Sequence, residues 1–152
     1  MDTDRIDFYS TRDEYGAFSN FSRHPFTLDG KRWPTSEHYF QAQNFVGTEH
    51  VAEIRAARSP MDAARMGRDR SRPLRRDWNK AKDDVMRRAV RAKFEAHPEL
   101  RELLLSTGDA ELVEAAPNDF YWGAGADGSG RNMLGRILME VREALRAAAV
   151  DG

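Results

Sequence analysis

The sequence contains no cysteine. This absence excludes disulfide bonds, thiolate metal sites and a cysteine nucleophile. Histidine is scarce as well, and the spacing of the four histidines does not match that of metal ligands: His24, His38, His50 and His97. We therefore expect no metal and no cofactor.

The chain also lacks a strong charge imbalance and any long apolar run. Its formal net charge is −1 over 152 residues, so no field of the whole molecule attracts nucleic acid or a membrane. No apolar stretch approaches the length of a membrane span, and the opening MDTDRIDFYS lacks the pattern of a signal peptide. We expect a soluble, cytoplasmic protein without a membrane partner.

What is present is the pattern of one small folded domain. The length suits a single domain over residues 1–152, and the sequence contains no linker, repeat or low-complexity block. Hydrophobic periodicity and capping residues predict six helices, in TSEHYFQAQNF, TEHVAEIRAA, SPMDAARMG, residues 77–96, PELRELLLSTGD and NMLGRILMEVREALRAA. Strands are predicted in RIDFYS, in a hairpin FTLDGKRWP and in ELVEAA. The fold class predicted is α+β, mostly helical with a few short strands.

Single residues mark the predicted ends of these elements. The hairpin should turn at Asp29 and Gly30. Thr35 or Ser36 can cap the helix that runs through Phe45. In the third helix we expect Ser59 as the N-cap, Pro60 in the first turn and Gly67 as the stop signal. The helix over residues 77–96 has an apolar stripe of Trp78, Ala81, Val85, Ala89 and Phe94.

One face of the first helix is polar although its surroundings are aromatic. Glu37, Gln41 and Asn44 follow at spacings of four and three, which places them on the same helical face. Buried polar groups need partners, and a pocket with a polar ligand would supply them. The alternative is that Glu37 merely interacts with the helix dipole.

Three further clusters can carry chemistry. EYGAFSNF places Ser19 and Asn20 between aromatic residues, GRDRSRPLRRDW contains five arginines, and PNDFYWGAGADGSGRNMLG runs from Asp119 through four glycines to a helix. Arginine binds phosphate through a planar fork, and a glycine-rich loop before a helix can hold an anion. Taken singly, the clusters are equally consistent with a turn, a solvated basic loop and a flexible loop. Together they suit a ligand with an aromatic base, a ribose and a phosphate.

The residues also carry a resemblance to a known family. The blocks are FYSTRDEYGAFSNF, WPTSEHYFQAQ, SPMDAARMGRDRSRPLR, KFEAHPELRELLLSTGD, LVEAAPNDFYWGAG and GRNMLGRILMEVRE. In this order, over about residues 6–146, they resemble the NADAR family and, within it, the YbiA-like N-glycosidases of riboflavin metabolism.

The resemblance implies a small α+β domain that cleaves an N-glycosidic bond. The expected substrates are phosphoribosylamino-pyrimidines, early riboflavin intermediates, which are hydrolysed to ribose 5-phosphate and a free aminopyrimidine as a form of metabolite damage control. Other branches of the family act on ADP-ribose. The alternative is therefore an ADP-ribose-directed protein, either a hydrolase that removes ADP-ribose from guanine bases or a catalytically weak nucleotide-binding module. A nucleic-acid partner is expected only under this alternative. The sequence does not predict the oligomeric state.

The resemblance also assigns roles. Glu37 matches the glutamate of the family's EHYFQ motif and is expected near C1′, where a carboxylate stabilises the developing positive charge. Asp119 is expected to protonate the departing amine. Contacts with substrate are expected from Ser19, Asn20, Tyr39, Gln41, Arg68, Arg70, Arg72, Trp78, Lys82, Trp122, Gly123 and Asn132.

One position departs from the family pattern. Members usually read QAQKF where this chain reads QAQNF, so Asn44 stands in the place of a lysine that could act as a nucleophile or a cationic acid. Three explanations are open. The asparagine is a substitution introduced to stop turnover and trap ligand, or Lys82 or Lys80 supplies the amine, or the protein binds its ligand without cleaving it.

Overall fold

The computed structural model describes residues 4–151 and consists of two compact units. One unit is the continuous segment Asn20–Ala96, and the other contains the chain up to Ser19 and from His97 onward. The elements follow in the order β1 (Arg5–Phe8), a 3-10 helix (Gly16–Phe18), β2 (Phe26–Leu28), β3 (Lys31–Trp33), α1 (Ser36–Gln43), α2 (His50–Arg55), α3 (Pro60–Arg68), α4 (Trp78–Ala96), α5 (Pro98–Ser106), β4 (Glu111–Glu114) and α6 (Met133–Asp151). Over the described range, six α-helices and four short strands confirm the mostly helical α+β class.

The unit that contains both ends of the chain is built on two parallel strands. β1 pairs with β4 in a register that joins Ile6 to Leu112. α6 packs on β4, and α5 packs on α6. The buried side of α6 follows helical spacing, with Leu134, Ile137, Leu138, Val141 and Leu145 all at most 4% exposed. No helix within residues 4–151 combines the length and the apolar character needed to cross a bilayer.

The middle unit is organised around α1. α2, α3 and α4 all pack against α1, and β3 touches it as well. All eight residues of α1 are buried, from Ser36 to Gln43. The β2–β3 hairpin turns at Asp29 and Gly30, both of which have positive φ, as the sequence predicts. A helix enclosed on several sides has no solvent face, so its polar side chains must find partners inside the protein.

Two predicted helix ends differ from the structure. α1 ends at Gln43, and Asn44 and Phe45 follow in a turn rather than in the helix. Gly67 does not stop α3, which continues to Arg68. Both ends are set by packing: Asn44 O accepts a hydrogen bond from Arg75 N at 2.9 Å, and Gly67 lies against α1. Sequence signals for a helix end do not include such contacts.

Candidate active site

Glu37, Gln41 and Asn44 are linked in series on α1 and the turn that follows it. Gln41 Nε2 donates to Glu37 Oε2 at 2.7 Å, and Asn44 Nδ2 donates to Gln41 Oε1 at 3.2 Å. All three residues are buried, with exposed fractions of 8%, 9% and 4%. Because the Gln41 amide is fixed at both ends, it holds the Glu37 carboxylate in one orientation. We call this series the amide relay.

Gly67 makes room for the amide relay. A Cβ at this position would overlap Gln41 Oε1 and would lie 2.7 Å from Gln41 Cδ, so only glycine permits the contact of α3 with α1. Asn44 Oδ1 is buried and has no hydrogen-bond partner among the described residues. The relay therefore ends in an acceptor that is open to a further donor.

The start of α1 leaves Glu37 free of a capping role. The Thr35 side chain is the N-cap and accepts from His38 N at 3.1 Å. His38 is buried and bonds the Ala57 carbonyl at 3.0 Å; burial lowers its pKa, so that the neutral imidazole is favoured. Glu37 lies in the first helical turn, where the helix dipole stabilises a negative charge. Thr35 thus caps the helix, and the Glu37 carboxylate is bound by Gln41 instead of serving as the cap.

Asn20 is placed beside Glu37 by several bonds. Its backbone O accepts from Glu37 N at 3.2 Å, and its Oδ1 accepts from Ser36 Oγ at 2.8 Å. Its Nδ2 approaches Met86 Sδ at 3.4 Å. Ser19 belongs to the other unit, is buried and closes the 3-10 helix by donating its N–H to Gly16 O.

Tyr39 is a core residue rather than a surface on which a base can stack. It has no exposed area. Its ring lies 5.1 Å from Trp33 and 6.4 Å from Phe26, and its hydroxyl donates to Asp29 Oδ2 at 2.7 Å. Burial is the main cause that raises the Tyr39 pKa, so the phenol stays protonated. The faces of Tyr39 are covered by these neighbours, and its contact with substrate stays a prediction.

Two of the expected phosphate ligands cap the end of α3. Arg70 Nε donates to Arg68 O at 3.0 Å, and a second Arg70 nitrogen donates to Gly67 O. Arg72 donates to Met66 O at 3.4 Å. Cations are favourable at this end of a helix. Arg70 and Arg72 therefore stabilise the end of α3. Arg68 is exposed to solvent.

Arg72 and Arg75 also have carboxylate neighbours. An Arg72 nitrogen lies 3.3 Å from Asp69 Oδ2, and its Nε lies 3.7 Å from Glu53 Oε1 without a hydrogen bond. Arg75 binds Asp77 through two nitrogens, at 2.7 and 2.9 Å. The basic segment is thus partly neutralised by acids that lie within it or next to it.

Trp78 and Lys82 are one helical turn apart at the start of α4. Both residues are half-buried, and the Trp78 ring packs on Phe40 at 5.1 Å. Trp78 is therefore less enclosed than the buried members of its predicted stripe, Val85 and Ala89. Part of its ring and the Lys82 side chain remain accessible.

Asp119, Trp122 and Gly123 lie together in the loop before α6. Asp119 Oδ1 accepts from the backbone N–H groups of Tyr121 at 3.0 Å and Trp122 at 2.8 Å. The Trp122 ring meets the Tyr121 ring edge to face at 4.9 Å. Gly123 is buried, and a Cβ there would lie 3.0 Å from Asp119 O. The carboxylate thus shapes the loop with one oxygen, while Oδ2 has no partner within the described part of the chain.

Asn132 joins two elements through its side chain. Its Oδ1 accepts from Glu114 N and its Nδ2 donates to Leu112 O, both at 2.9 Å. Its φ is 52°, a conformation that asparagine adopts more readily than most residues. The Asn132 amide is therefore bonded to β4, and its contact with substrate stays a prediction.

The structure therefore brings part of the expected site together in the middle unit. Asn20, Glu37, Gln41 and Asn44 are connected there by hydrogen bonds, whereas Asp119 belongs to the other unit. Division of acid and base work between Glu37 and Asp119 stays a prediction. Sequence reasoning assigned Gly67 to the end of α3 and missed its contact with Gln41, although an isolated glycine within a helical pattern is a signal of close packing.

Comparison with known proteins places these features in a family. The NADAR domain model matches residues 7–146. The chain is 61% identical to N-glycosidase YbiA of Escherichia coli over 140 residues, which cover 92% of this chain and 88% of that protein. It is 46% identical to the chloroplastic riboflavin biosynthesis protein PYRR of Zea mays, covering 93% of this chain and 25% of that protein.

A solved structure shows the same fold. The NMR structure of E. coli YbiA matches with a TM-score of 0.93 and 57% identity, and the match covers 100% of this chain and 90% of that chain. The family model and the identity over most of both chains confirm the resemblance seen in the sequence. This chain is a member of the NADAR family.

Proposed function

We propose that the chain is an N-glycosidase that hydrolyses phosphoribosylamino-pyrimidines, the early intermediates of riboflavin biosynthesis. The products are ribose 5-phosphate and a free aminopyrimidine. The observation that carries the proposal is the buried Glu37 carboxylate, which Gln41 holds at 2.7 Å on an enclosed helix.

The names of two relatives support the reaction and the pathway. The E. coli relative is named an N-glycosidase, and at 61% identity the same class of hydrolase is the natural assignment for this chain. The maize relative is named a riboflavin biosynthesis protein, and this chain matches about a quarter of its length. The pyrimidine substrate is our extension of that second name.

Glu37 supplies the electrostatic part of the chemistry. When the C1′–N bond breaks, its electron pair goes to nitrogen, and positive charge spreads over the ribose ring. A carboxylate fixed near C1′ stabilises that charge, and its effect is larger in a site that excludes water. The Gln41 bond keeps the carboxylate in place before substrate arrives, so little reorganisation is needed during the reaction.

The proton balance needs a second group. The departing amine takes up one proton, and the water that bonds to C1′ gives one up. We assign the proton delivery to Asp119, whose Oδ1 is held by two N–H groups of its own loop. Its Oδ2 is the oxygen that is available for proton transfer.

Asn44 is hydrogen-bonded to Gln41, which in turn is bonded to Glu37. We infer from this link that the chain turns over without a lysine at position 44. Asn44 Nδ2 donates to Gln41, so the residue supports Glu37 through the relay rather than by attacking the sugar. We therefore expect this chain and its Asn44→Lys variant both to release ribose 5-phosphate. Activity in the lysine variant alone would contradict this role and would identify the amine as the missing catalyst.

The phosphate is assigned to the exposed guanidinium of Arg68 and to the remaining donors of Arg70 and Arg72. Because Arg70 and Arg72 also cap α3, their substitution has structural consequences. Arg68 is exposed, and its side chain makes no hydrogen bond or ion pair within residues 4–151, so it gives the cleaner test. Arg68→Ala should raise KM for the phosphorylated substrate more than for its dephosphorylated riboside.

The substrate class can be tested with three compounds. Release of the free sugar is measured from the phosphoribosylamino-pyrimidinone, from its dephosphorylated riboside and from ADP-ribosylated guanosine. The proposal predicts the highest kcat/KM for the first compound. Turnover of ADP-ribosylated guanosine alone would overturn it in favour of the ADP-ribose-directed branch of the family.

A further inference from the structure

The middle unit contains a cavity that none of the expected site residues lines. It lies between the β2–β3 hairpin and α2, and its volume is about 370 Å³. We call it the hairpin groove. It is lined by Asp29, Lys31, Trp33, Gln43, Val46, Gly47, Thr48, Val51, Ala52 and Arg55. This volume falls within the range of small-molecule sites, about 300–1,000 Å³.

Gln43 lines the hairpin groove with a nearly buried side chain. The residue is only 8% exposed, and its backbone O lies 3.5 Å from an Arg75 nitrogen. Its side chain makes no hydrogen bond with any residue in the described range. By contrast, Gln41, two residues earlier, uses both ends of its amide. A nearly buried amide that faces a cavity provides a donor and an acceptor for a ligand.

The charges around the hairpin groove favour an anion. The Asp29 carboxylate is already bound by Arg88, at 2.7 and 2.9 Å, and by the Tyr39 hydroxyl. Lys31 and Arg55 have no carboxylate within 4 Å in the part of the chain that the structure describes. Lys31 and Arg55 therefore line the cavity without an acidic partner. The carboxylate of Asp29 is paired with Arg88, which is not part of the cavity lining.

The remaining lining is apolar. Val51 and Ala52 of α2 line the groove together with Trp33, and Val46 is 51% exposed, although it is a large aliphatic residue. The Arg55 guanidinium lies over the Trp33 ring at 5.9 Å, which fixes the cation beside the apolar wall. Apolar walls with a few placed polar groups are the usual construction of a ligand site.

We propose that the hairpin groove is a second binding site, for a small anion with an apolar body, such as an aromatic phosphate. The anionic group binds Arg55 and Lys31, the apolar body packs on Val51 and Ala52, and the Gln43 amide bonds a polar atom of the ligand. The site is separate from the amide relay and does not depend on the proposed reaction.

The test is a titration with phenyl phosphate, followed by two-dimensional ¹H–¹⁵N NMR of the full chain. The Gln43 side-chain amide reports on the groove directly, and the Trp33 indole N–H, which donates to Leu28 O at 3.0 Å, reports on the wall behind it. We expect saturable shifts of both signals. In Arg55→Ala the dissociation constant should rise about tenfold, the loss expected for one charge-assisted hydrogen bond.

Two comparisons make the titration decisive. Arg65→Ala, which removes an exposed arginine paired with Asp62 on α3, should leave the Gln43 shift unchanged. Inorganic phosphate should bind more weakly than phenyl phosphate, because it lacks the apolar body. The proposal is overturned by a Gln43 amide that does not move, by equal binding in Arg55→Ala, or by equal binding of inorganic phosphate. Release of ribose 5-phosphate is measured separately and tests the proposed reaction independently of ligand binding in the hairpin groove.

Discussion

Gln41 helps to orient the Glu37 carboxylate through a 2.7 Å hydrogen bond. Its amide connects the carboxylate to Asn44 and occupies the space left by Gly67. A carboxylate at the start of a buried helix could adopt several rotamers, and the 2.7 Å bond selects one. Gln41 thus acts through Glu37, as a positioning residue.

Replacing Gln41 by methionine should therefore lower kcat without raising KM. A hydrogen bond to a charged group contributes about 1.5–3 kcal/mol, so the loss in kcat should be about tenfold or more. Steady-state release of ribose 5-phosphate gives both constants. Asn79→Met, on an exposed position of α4, is the control and should change neither. A Gln41→Met enzyme with full kcat would remove the positioning role.

Lys93 is a second residue with an unusual environment. It is 1% exposed, and burial lowers its pKa from 10.5 to about 7. Between these two values the unfolded chain binds a proton at this lysine that the folded chain does not. Unfolding then takes up a proton, so the contribution of Lys93 makes the free energy of unfolding rise with pH from about 7 to 10.5.

The Lys93→Met variant should lose this pH dependence. In urea unfolding between about pH 7 and 9.5, the difference in slope between the two proteins should approach 1.4 kcal/mol per pH unit, to order of magnitude. Lys80→Met, at an exposed position of α4, should keep the slope of the parent chain. Parallel curves for Lys93→Met and the parent chain would show that Lys93 titrates alike in both states.

At the scale of elements, the contact between α1 and α3 positions the amide relay. The two helices approach closely because Gly67 has no side chain at the place that Gln41 occupies. The Ser59 cap and Pro60 start α3, as the sequence predicts from local chemistry. The role of Gly67 depends instead on a helix that is distant in the sequence.

Gly67→Ala should destabilise the protein, although alanine favours a helix over glycine by about 1 kcal/mol. The added Cβ overlaps the Gln41 amide, so we expect a loss of about 1–3 kcal/mol in the free energy of unfolding. Removing the Gln41 side chain frees that space. In a double-mutant cycle the Gly67→Ala penalty should therefore largely disappear in a Gln41→Ala background. An equal penalty in both backgrounds would exclude the steric explanation.

Local patterns predict most of the elements but only part of the site. The hairpin turn at Asp29 and Gly30, the Thr35 cap and the face shared by Glu37 and Gln41 all follow from short-range rules. Asn132 shows where such rules stop. Its amide bonds β4, some twenty residues earlier in the chain, and no local pattern announces a partner at that distance.

Tyr39 and Arg70 show the same limit of local patterns. An aromatic residue or an arginine in the sequence indicates a possible contact with a ligand. It does not show which other residues of the protein the side chain contacts instead. Tyr39 is enclosed by Trp33 and Phe26, and Arg70 is bonded to the end of α3. Burial and capping can only be assigned once the neighbours are known.

For the whole molecule, the family is established over nearly the full chain. The NADAR match spans residues 7–146, and the fold matches a solved relative with a TM-score of 0.93. A single domain over 1–152 stays a prediction, since the structure consists of two compact units. The name of the E. coli relative indicates chemistry on N-glycosidic bonds, and Glu37 of the amide relay is the group that we expect to act on them.

The first measurement is ribose 5-phosphate release from the phosphoribosylamino-pyrimidinone by this chain and by its Glu37→Gln variant. Glutamine keeps the size of the side chain and can still bond Gln41, but it carries no negative charge. We predict that the parent chain turns over and that Glu37→Gln loses about 100-fold or more in kcat with little change in binding. Equal turnover by the two proteins would contradict the proposed role of Glu37.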